Sequence, residues 1–188
     1  YLALIHYPIQ NRHGEKITTS VTNMDIHDIS RSCRTFNVAR FFLVTPLELQ
    51  HDLVGKIISH WRGPQAEYHP DRRSALSIGQ LSWSLEETEK EIEKLEGKKP
   101  LRVATGANFK TSDGGFKQLF KHNQIDKRPI LLLFGTGWGL HASVIEKSDF
   151  LLDPLLGSSE DGYNHLSVRS AVAIYLDRLA RENEASGA

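Results

Sequence analysis

The chain has 188 residues, 39% of them hydrophobic and 24% charged, which fits a single domain over 1–188 with a sizeable core of its own. Its 23 basic and 23 acidic residues cancel, so no global charge directs it to nucleic acid or to a membrane surface, although a local basic patch can still do so. The one cysteine, Cys33, excludes a disulfide framework and a Cys/His zinc cluster, and none of the nine histidines falls in a metal-binding spacing.

No apolar run approaches the ~20 residues that cross a bilayer, and Tyr1–Ile5 lacks the charged n-region and cleavage site of a signal peptide. The expectation is a cytoplasmic protein with no membrane partner and no metal.

In chain order, Leu2–Tyr7 reads as a buried strand stopped by Pro8, and a polar loop with Asn11 and Gly14 follows. Ile26, Ile29, Cys33 and Phe36 recur at helical spacing, so Met24–Phe36 is an amphipathic helix capped by Thr22 or Asn23, with Asp25 in its first turn. Phe41–Val44 is a short strand. Thr45-Pro46 opens a helix with Leu49, Leu53, Ile57 and Trp61 on its apolar face, ended by Gly63-Pro64. Gln65–Arg73 is polar and irregular, and Ser77–Trp83 alternates as a strand.

Ser84-x-x-Glu87 is a capping box, and Glu86–Glu96 is a helix with a solvated Glu/Lys face. Leu101–Thr105 is a strand ending in Gly106. Gly114-Gly115 precedes a short helix ending near His122. Pro129–Phe134, the most apolar run, is a strand buried on both faces. Phe150–Leu152 is a last short strand, Leu166–Leu179 a strong helix, and Arg181–Ala188 a frayed tail. This alternation predicts an α/β fold: a mostly parallel sheet with helices on both faces.

In such sheets ligands sit beyond the carboxyl ends of the strands. The turn Phe134-Gly135-Thr136-Gly137-Trp138-Gly139-Leu140 lies there. Its glycines permit positive φ and close approach of backbone to ligand. The spacing is neither a Rossmann fingerprint nor a P-loop. A side chain introduced at Gly137 would be expected to enter the pocket, and Trp138 to wall that pocket or to cap the core.

Two more small-residue loops should project from the same edge. One is Thr105-Gly106-Ala107-Asn108. The other runs from Asp153-Pro154-Leu155-Leu156-Gly157 to Tyr163-Asn164-His165-Leu166-Ser167. Backbone recognition by three such loops suits a nucleotide-like ligand without phosphate. A nicotinamide-dependent oxidoreductase, or a donor-binding protein with a non-RNA substrate, remains an open alternative. Between Arg102 and Arg128 there are six cations, Arg102, Lys110, Lys117, Lys121, Lys127 and Arg128, interleaved with Phe109, Phe116 and Phe120. Such a surface can hold an RNA backbone and stack bases.

The sequence FGTGWGL, then LLDPLLG, then YNHLSVRSAVAIYLDRL resembles the catalytic core of SPOUT-class RNA methyltransferases, and most of all a small subgroup similar to the bacterial tRNA guanosine methyltransferases. The resemblance implies S-adenosyl-L-methionine as the ligand of these loops, a C-terminal deep trefoil knot, a homodimer with contact through the first or last helix, and methyl transfer to tRNA or rRNA. It implies a donor site formed by Thr105, Gly106 and Ala107, by Phe134, Gly135, Thr136, Gly137, Trp138 and Gly139, by Leu152, Asp153, Pro154, Leu155 and Leu156, and by Asn164, His165, Leu166, Ser167 and Ser170. It places Arg31 at the family's functional arginine. Asp25 stands where the ribose-methylating branch has asparagine, and Ser167 replaces another. Asp25, Asp153 and Asp161 are candidate bases.

Overall fold

A computed structural model describes residues 1–61, 63 and 67–185. Pro64 in the expected helix stop, Gln65 at the start of the irregular stretch and Ser186–Ala188 of the expected tail lie outside the described residues.

Six strands form one sheet: β1 (Leu2–Ile5), β4 (Phe41–Val44), β5 (Gly79–Ser82), β6 (Leu101–Ala104), β7 (Ile130–Gly135) and β8 (Phe150–Leu151), in the order β5-β4-β1-β7-β6-β8. Every neighbouring pair is parallel. A two-stranded hairpin, β2 (Ile9–Gln10) and β3 (Lys16–Ile17), stands in what the sequence suggested was only a loop.

The strands are apolar on both sides because both faces are covered. Leu2, Leu4, Phe41, Leu43, Val103, Leu132 and Phe134 point to one face. They meet α1 (Asn23–Thr35), α2 (Glu48–His60), α3 (Pro70–Ser77), α5 (Phe116–His122) and α7 (Val168–Ala185). Ala3, Ile5, Phe42, Val44, Leu131 and Leu133 point to the other and meet α4 (Leu85–Glu96) and α6 (Ala142–Ile145). Phe41, Phe42 and Phe134 are buried almost completely, and each such side chain contributes about 1.5–3 kcal/mol relative to exposure.

Three local expectations are corrected. The second helix begins at Glu48 with Leu47 as N-cap, not at Thr45-Pro46. Its buried stripe is Val54 and Ile58, while Leu49 and Leu53 are exposed. That stripe is rotated by one residue, about 100°, from the expected one. Pro70–Ser77 is a helix where irregular chain was expected through Arg73; Pro70 suits its first turn, and only Ala75 and Leu76 are buried. The last helix continues to Ala185 through most of the expected tail.

The topology positions the loops. β7 and β8, the two strands that follow β6, lie on opposite sides of it. The chain therefore switches direction at β6, and the crevice beyond the carboxyl ends of the three strands is where such a sheet accepts a ligand.

Candidate functional site

The glycine turn is built by close backbone approach. Gly135 pairs with Ile5 of β1. A Cβ on it would lie 2.5 Å from the Leu140 nitrogen and 2.8 Å from the Gly139 carbonyl carbon. Gly137 and Gly139 take φ of 57° and 100°, the left-handed region that other residues occupy at a cost. The Gly139 N–H donates to Thr136 O at 2.9 Å and closes the turn. Gln10 ties it to the hairpin, its backbone N–H donating to Gly139 O at 3.1 Å and its side-chain amide to Trp138 O at 3.1 Å.

Two expectations about this turn change. A Cβ on Gly137 would face Thr19 at 3.5 Å and Ile9 at 3.7 Å, ordinary contact distances, so a side chain there starts towards the hairpin and not towards an open pocket, and its cost lies in the positive φ. Trp138 is 63% exposed and does not cap the core.

A largely buried polar chain anchors the turn from behind, and two of its three residues, His6 and Thr19, had no signal in the sequence. Thr136 Oγ1 lies 3.3 Å from Ile5 O and 2.5 Å from Thr19 Oγ1, and Thr19 Oγ1 lies 3.1 Å from His6 Nδ1. One proton arrangement satisfies all three contacts: His6 Nδ1–H donates to Thr19, Thr19 donates to Thr136, and Thr136 donates to Ile5 O. His6 Nε2 is then an unprotonated, buried nitrogen without a hydrogen-bond partner among the described residues. Burial lowers the His6 pKa to about 4, against a smaller raising effect of Asp25, so the ring is neutral as this arrangement requires.

The two other loops reach the same edge. The Thr105 hydroxyl and N–H both donate to Leu133 O, at 2.9 and 3.1 Å. The Phe109 ring closes over Gly106, where a Cβ would sit 2.6 Å from it; Ala107 is exposed. Asp113 and Gly114 then run beside β8: Asp113 N–H donates to Leu151 O at 2.8 Å and Asp153 N–H to Gly114 O at 2.9 Å.

Beyond β8, Leu152 and Leu155 are buried and Leu156 is 80% exposed. Asn164 fastens this loop, donating to Leu155 O at 2.8 Å and accepting from Gly157 N–H at 3.0 Å. Ser167 opens α7, its hydroxyl accepting from Ser170 N–H at 3.2 Å. Pro154 lies half-buried between these contacts, and His165 and Leu166 are exposed. A cleft of about 370 Å³ opens beside Leu152 and Asp153, walled by Phe116, Tyr175 and Arg178.

All three candidate bases carry hydrogen bonds. Asp25 is buried, with Oδ1 accepting from Arg169 at 2.8 Å and Oδ2 from the Thr22 hydroxyl at 2.6 Å. It joins the first turns of α1 and α7. Asp153 accepts from Ser112 at 2.6 Å. Asp161 accepts from Ser159 and from Tyr163 N–H, which lower its pKa in that order. Arg31 is exposed. It stands one turn from His27, whose pKa is lowered by burial first, then by Arg72, with Arg31 a smaller contributor in the same direction. Asp28, a near acidic neighbour of Arg31 in the sequence, instead lies 3.5 Å from Arg169.

Among the described residues no cluster of histidine, cysteine and carboxylate could hold a metal ion, and no helix is long and apolar enough to cross a membrane.

Residues 1–181 match the model of a family described as SAM-dependent RNA methyltransferase. A tRNA (guanine-N(1)-)-methyltransferase of Oleidesulfovibrio alaskensis is 41% identical over 180 residues, covering 95% of this chain and 41% of that protein. An uncharacterized protein of Aquifex aeolicus is 36% identical over 97% of this chain and 89% of its own length. The chain thus spans less than half of the curated methyltransferase it matches.

Among solved structures, the SpoU methyltransferase AviRb from Streptomyces viridochromogenes, in complex with the cofactor AdoMet, superposes with a TM-score of 0.58 at 17% identity, covering 98% of this chain and 58% of that one. The A. aeolicus TrmH/SpoU tRNA modifying enzyme gives 0.57 at 14% identity, covering 99% and 76%. These two likenesses concern the fold.

Proposed function

Because the chain belongs to the family of SAM-dependent RNA methyltransferases, we propose that it transfers a methyl group from S-adenosyl-L-methionine to a nucleoside of tRNA or rRNA, with the donor held by the three loops around β6. The observation that carries the placement is their convergence: the carboxyl ends of β7, β6 and β8 lie side by side. Exposed Trp138, Leu156 and Leu166 stand on the loops that leave this edge.

The turn itself carries no basic residue, which suits a donor without phosphate. Gly135, Gly137 and Gly139 keep its backbone bare, Thr105 and Asn164 hold the flanking loops in shape, and Trp138, Leu156 and Leu166 offer apolar walls.

The donor supplies an electrophilic methyl on sulfur: the S–CH₃ bond breaks with its electron pair going to sulfur, a bond from the nucleoside forms, and the nucleoside loses a proton. The protein's share is chiefly alignment, by loops fixed through buried hydrogen bonds. Arg31, exposed beside Arg72 and His27, is suited to an RNA phosphate or to the target base. Asp25, bound to Arg169 and Thr22, is suited to holding α1 and α7 together, so that Arg31 is presented at a fixed place.

Guanine N1 of tRNA, the target in the name of the Oleidesulfovibrio alaskensis relative, is the narrower form of this proposal. The same resemblance carries a trefoil knot, a homodimer and a cytoplasmic location into the proposal. Exposed Met24, Leu49 and Leu53 on α1 and α2 supply apolar surface for a second copy.

Isothermal titration with S-adenosyl-L-methionine and with NAD tests the donor. Binding of the first alone is expected, and Asn164→Ala, which removes the bonds to Leu155 O and Gly157 N–H in the third loop, should weaken it roughly tenfold. Incubation with labelled donor and total RNA, followed by nucleoside mapping, identifies the modified base.

A further inference from the structure

The chain has no net charge, but its charges are sorted across the sheet. On one face α4 carries six glutamates against two lysines. On the opposite face α5 and the turn after it carry Lys117, Lys121, Lys127 and Arg128 against Asp126 alone.

The structure also separates cations already engaged from those still available. Arg102 is bound by Glu89. Arg128 commits its guanidinium to the carbonyls of Lys99 and Pro100 and to Asp149. Lys117, Lys121 and Lys127 are exposed, and no ion pair among the described residues includes them.

These three lysines line a groove of about 490 Å³ between α5 and the end of α7, with half-buried Phe120 in its floor. Lys117 and Lys121 are four residues apart, on one side of α5, about 6 Å from each other at Cβ. Lys127 is held differently. Its φ is 46°, a left-handed conformation that a residue with a Cβ adopts only when its surroundings hold it there. Asn123 fixes it there: its carbonyl accepts from Lys127 N–H at 2.9 Å, and its side chain donates to Arg128 O at 2.8 Å and accepts from Arg128 N–H at 2.9 Å. The third cation is therefore presented by a rigid turn. The cleft walled by Arg178 lies along the same α5–α7 seam and reaches Leu152 and Asp153 of the third loop.

We propose that the α5–α7 seam holds the sugar-phosphate backbone of the RNA substrate, with Lys117, Lys121 and Lys127 at successive phosphates and Arg178 leading towards the loop edge. This rests on RNA being the substrate. The pattern fits a polyanion: among the described residues no ion pair engages Lys117, Lys121 or Lys127, Asp153 and Glu182 enter only at the Arg178 end of the seam, and the acidic α4 face repels the same ligand. Phosphate contacts displace counterions, so their number is read directly from salt dependence.

The test uses the full chain and unfractionated tRNA, with affinity measured from 50 to 300 mM salt. The wild type is compared with the triple variant Lys117→Ala, Lys121→Ala, Lys127→Ala and with Lys90→Ala, Lys94→Ala on α4. The triple variant should lose about 2 to 3 from the slope of log K against log salt, at roughly 0.7–0.9 per contact. The α4 variant should keep the wild-type slope, and all three proteins should bind S-adenosyl-L-methionine equally. A wild-type slope in the triple variant overturns the seam while leaving RNA as substrate. Loss of polyglutamate binding without change for tRNA would assign the seam to an acidic protein and overturn it too. A wild type that binds no tRNA overturns both readings.

Discussion

The two halves of the sheet end differently. At the carboxyl ends of β1, β4 and β5 the chain closes with buried polar residues, His6 and Thr45 fully buried and Ser82 nearly so, with Tyr7, Leu47 and Trp83 just beyond them 38% to 48% exposed. The Thr45 N–H donates to Ser82 O at 3.1 Å, and His51 Nε2 lies 2.8 Å from Thr45 O. At the carboxyl ends of β6, β7 and β8 it opens into loops that leave Trp138, Leu156, Tyr163 and Leu166 between 46% and 80% exposed. Six parallel strands of similar apolar composition thus give a sealed half and a receptive half. Strand chemistry does not distinguish the two halves; the crossover that puts β7 and β8 on either side of β6 does, and the proposed donor site is placed there for that reason. The halves meet where Gly135 pairs with Ile5, and His6, Thr19 and Thr136 carry hydrogen bonds across that line.

The comparison breaks most severely at that meeting point. Gly135→Val should cost about 3 kcal/mol or more, because its Cβ would collide with the Leu140 and Gly139 backbone, which cannot move aside as a side chain could. A shift of the urea midpoint checks this, and a variant as stable as the wild type would show that the turn relaxes.

Next is the clamp between the first turns of α1 and α7. Asp25→Ala leaves Arg169 with only the 3.5 Å contact to Asp28, and is expected to cost about 3 kcal/mol of stability, as for other partly buried pairs broken on one side. The melting temperature reads it directly.

The sealed half should show a pH signature. His6 stays neutral in the fold down to about pH 4, whereas in the unfolded chain it takes a proton below about 6.5. The unfolded state therefore binds more protons in this window. Stability should fall as pH drops from 6.5 towards 4, by up to about 3 kcal/mol from this group. His6→Asn, which keeps a donor towards Thr19, should be the flatter of the two when urea midpoints are compared at pH 7, 6 and 5. Identical slopes would mean that His6 is not the titrating group.

Sequence pattern revealed the receptive half better than the sealed one. The apolar runs of β1, β4, β6 and β7 and the capping residues Thr22 and Ser84 are local signals, and each stands where expected. So do the three loops, because small residues after an apolar run mark a strand end whatever the tertiary context. The α2 face was misplaced because Leu49-Leu53-Ile57 and Val54-Ile58 are adjacent stripes of equal apolarity, and only packing chooses between them. α3 was hidden because two buried residues make no periodicity.

The His6–Thr19–Thr136 chain joins residues 13 and 117 positions apart, so nothing in any local window announces it. The sorting of charge was half legible: six cations stand out between Arg102 and Arg128, but only the structure shows that Arg102 and Arg128 are already engaged.

The central claim is that the loops around β6 hold S-adenosyl-L-methionine, and calorimetric titration of the wild-type chain tests it most directly. The account predicts one saturable site for S-adenosyl-L-methionine, roughly tenfold weaker in Asn164→Ala, and no heat of binding with NAD. Binding of NAD without S-adenosyl-L-methionine would contradict it, and S-adenosyl-L-methionine affinity unchanged by Asn164→Ala would contradict the placement of the site at the third loop.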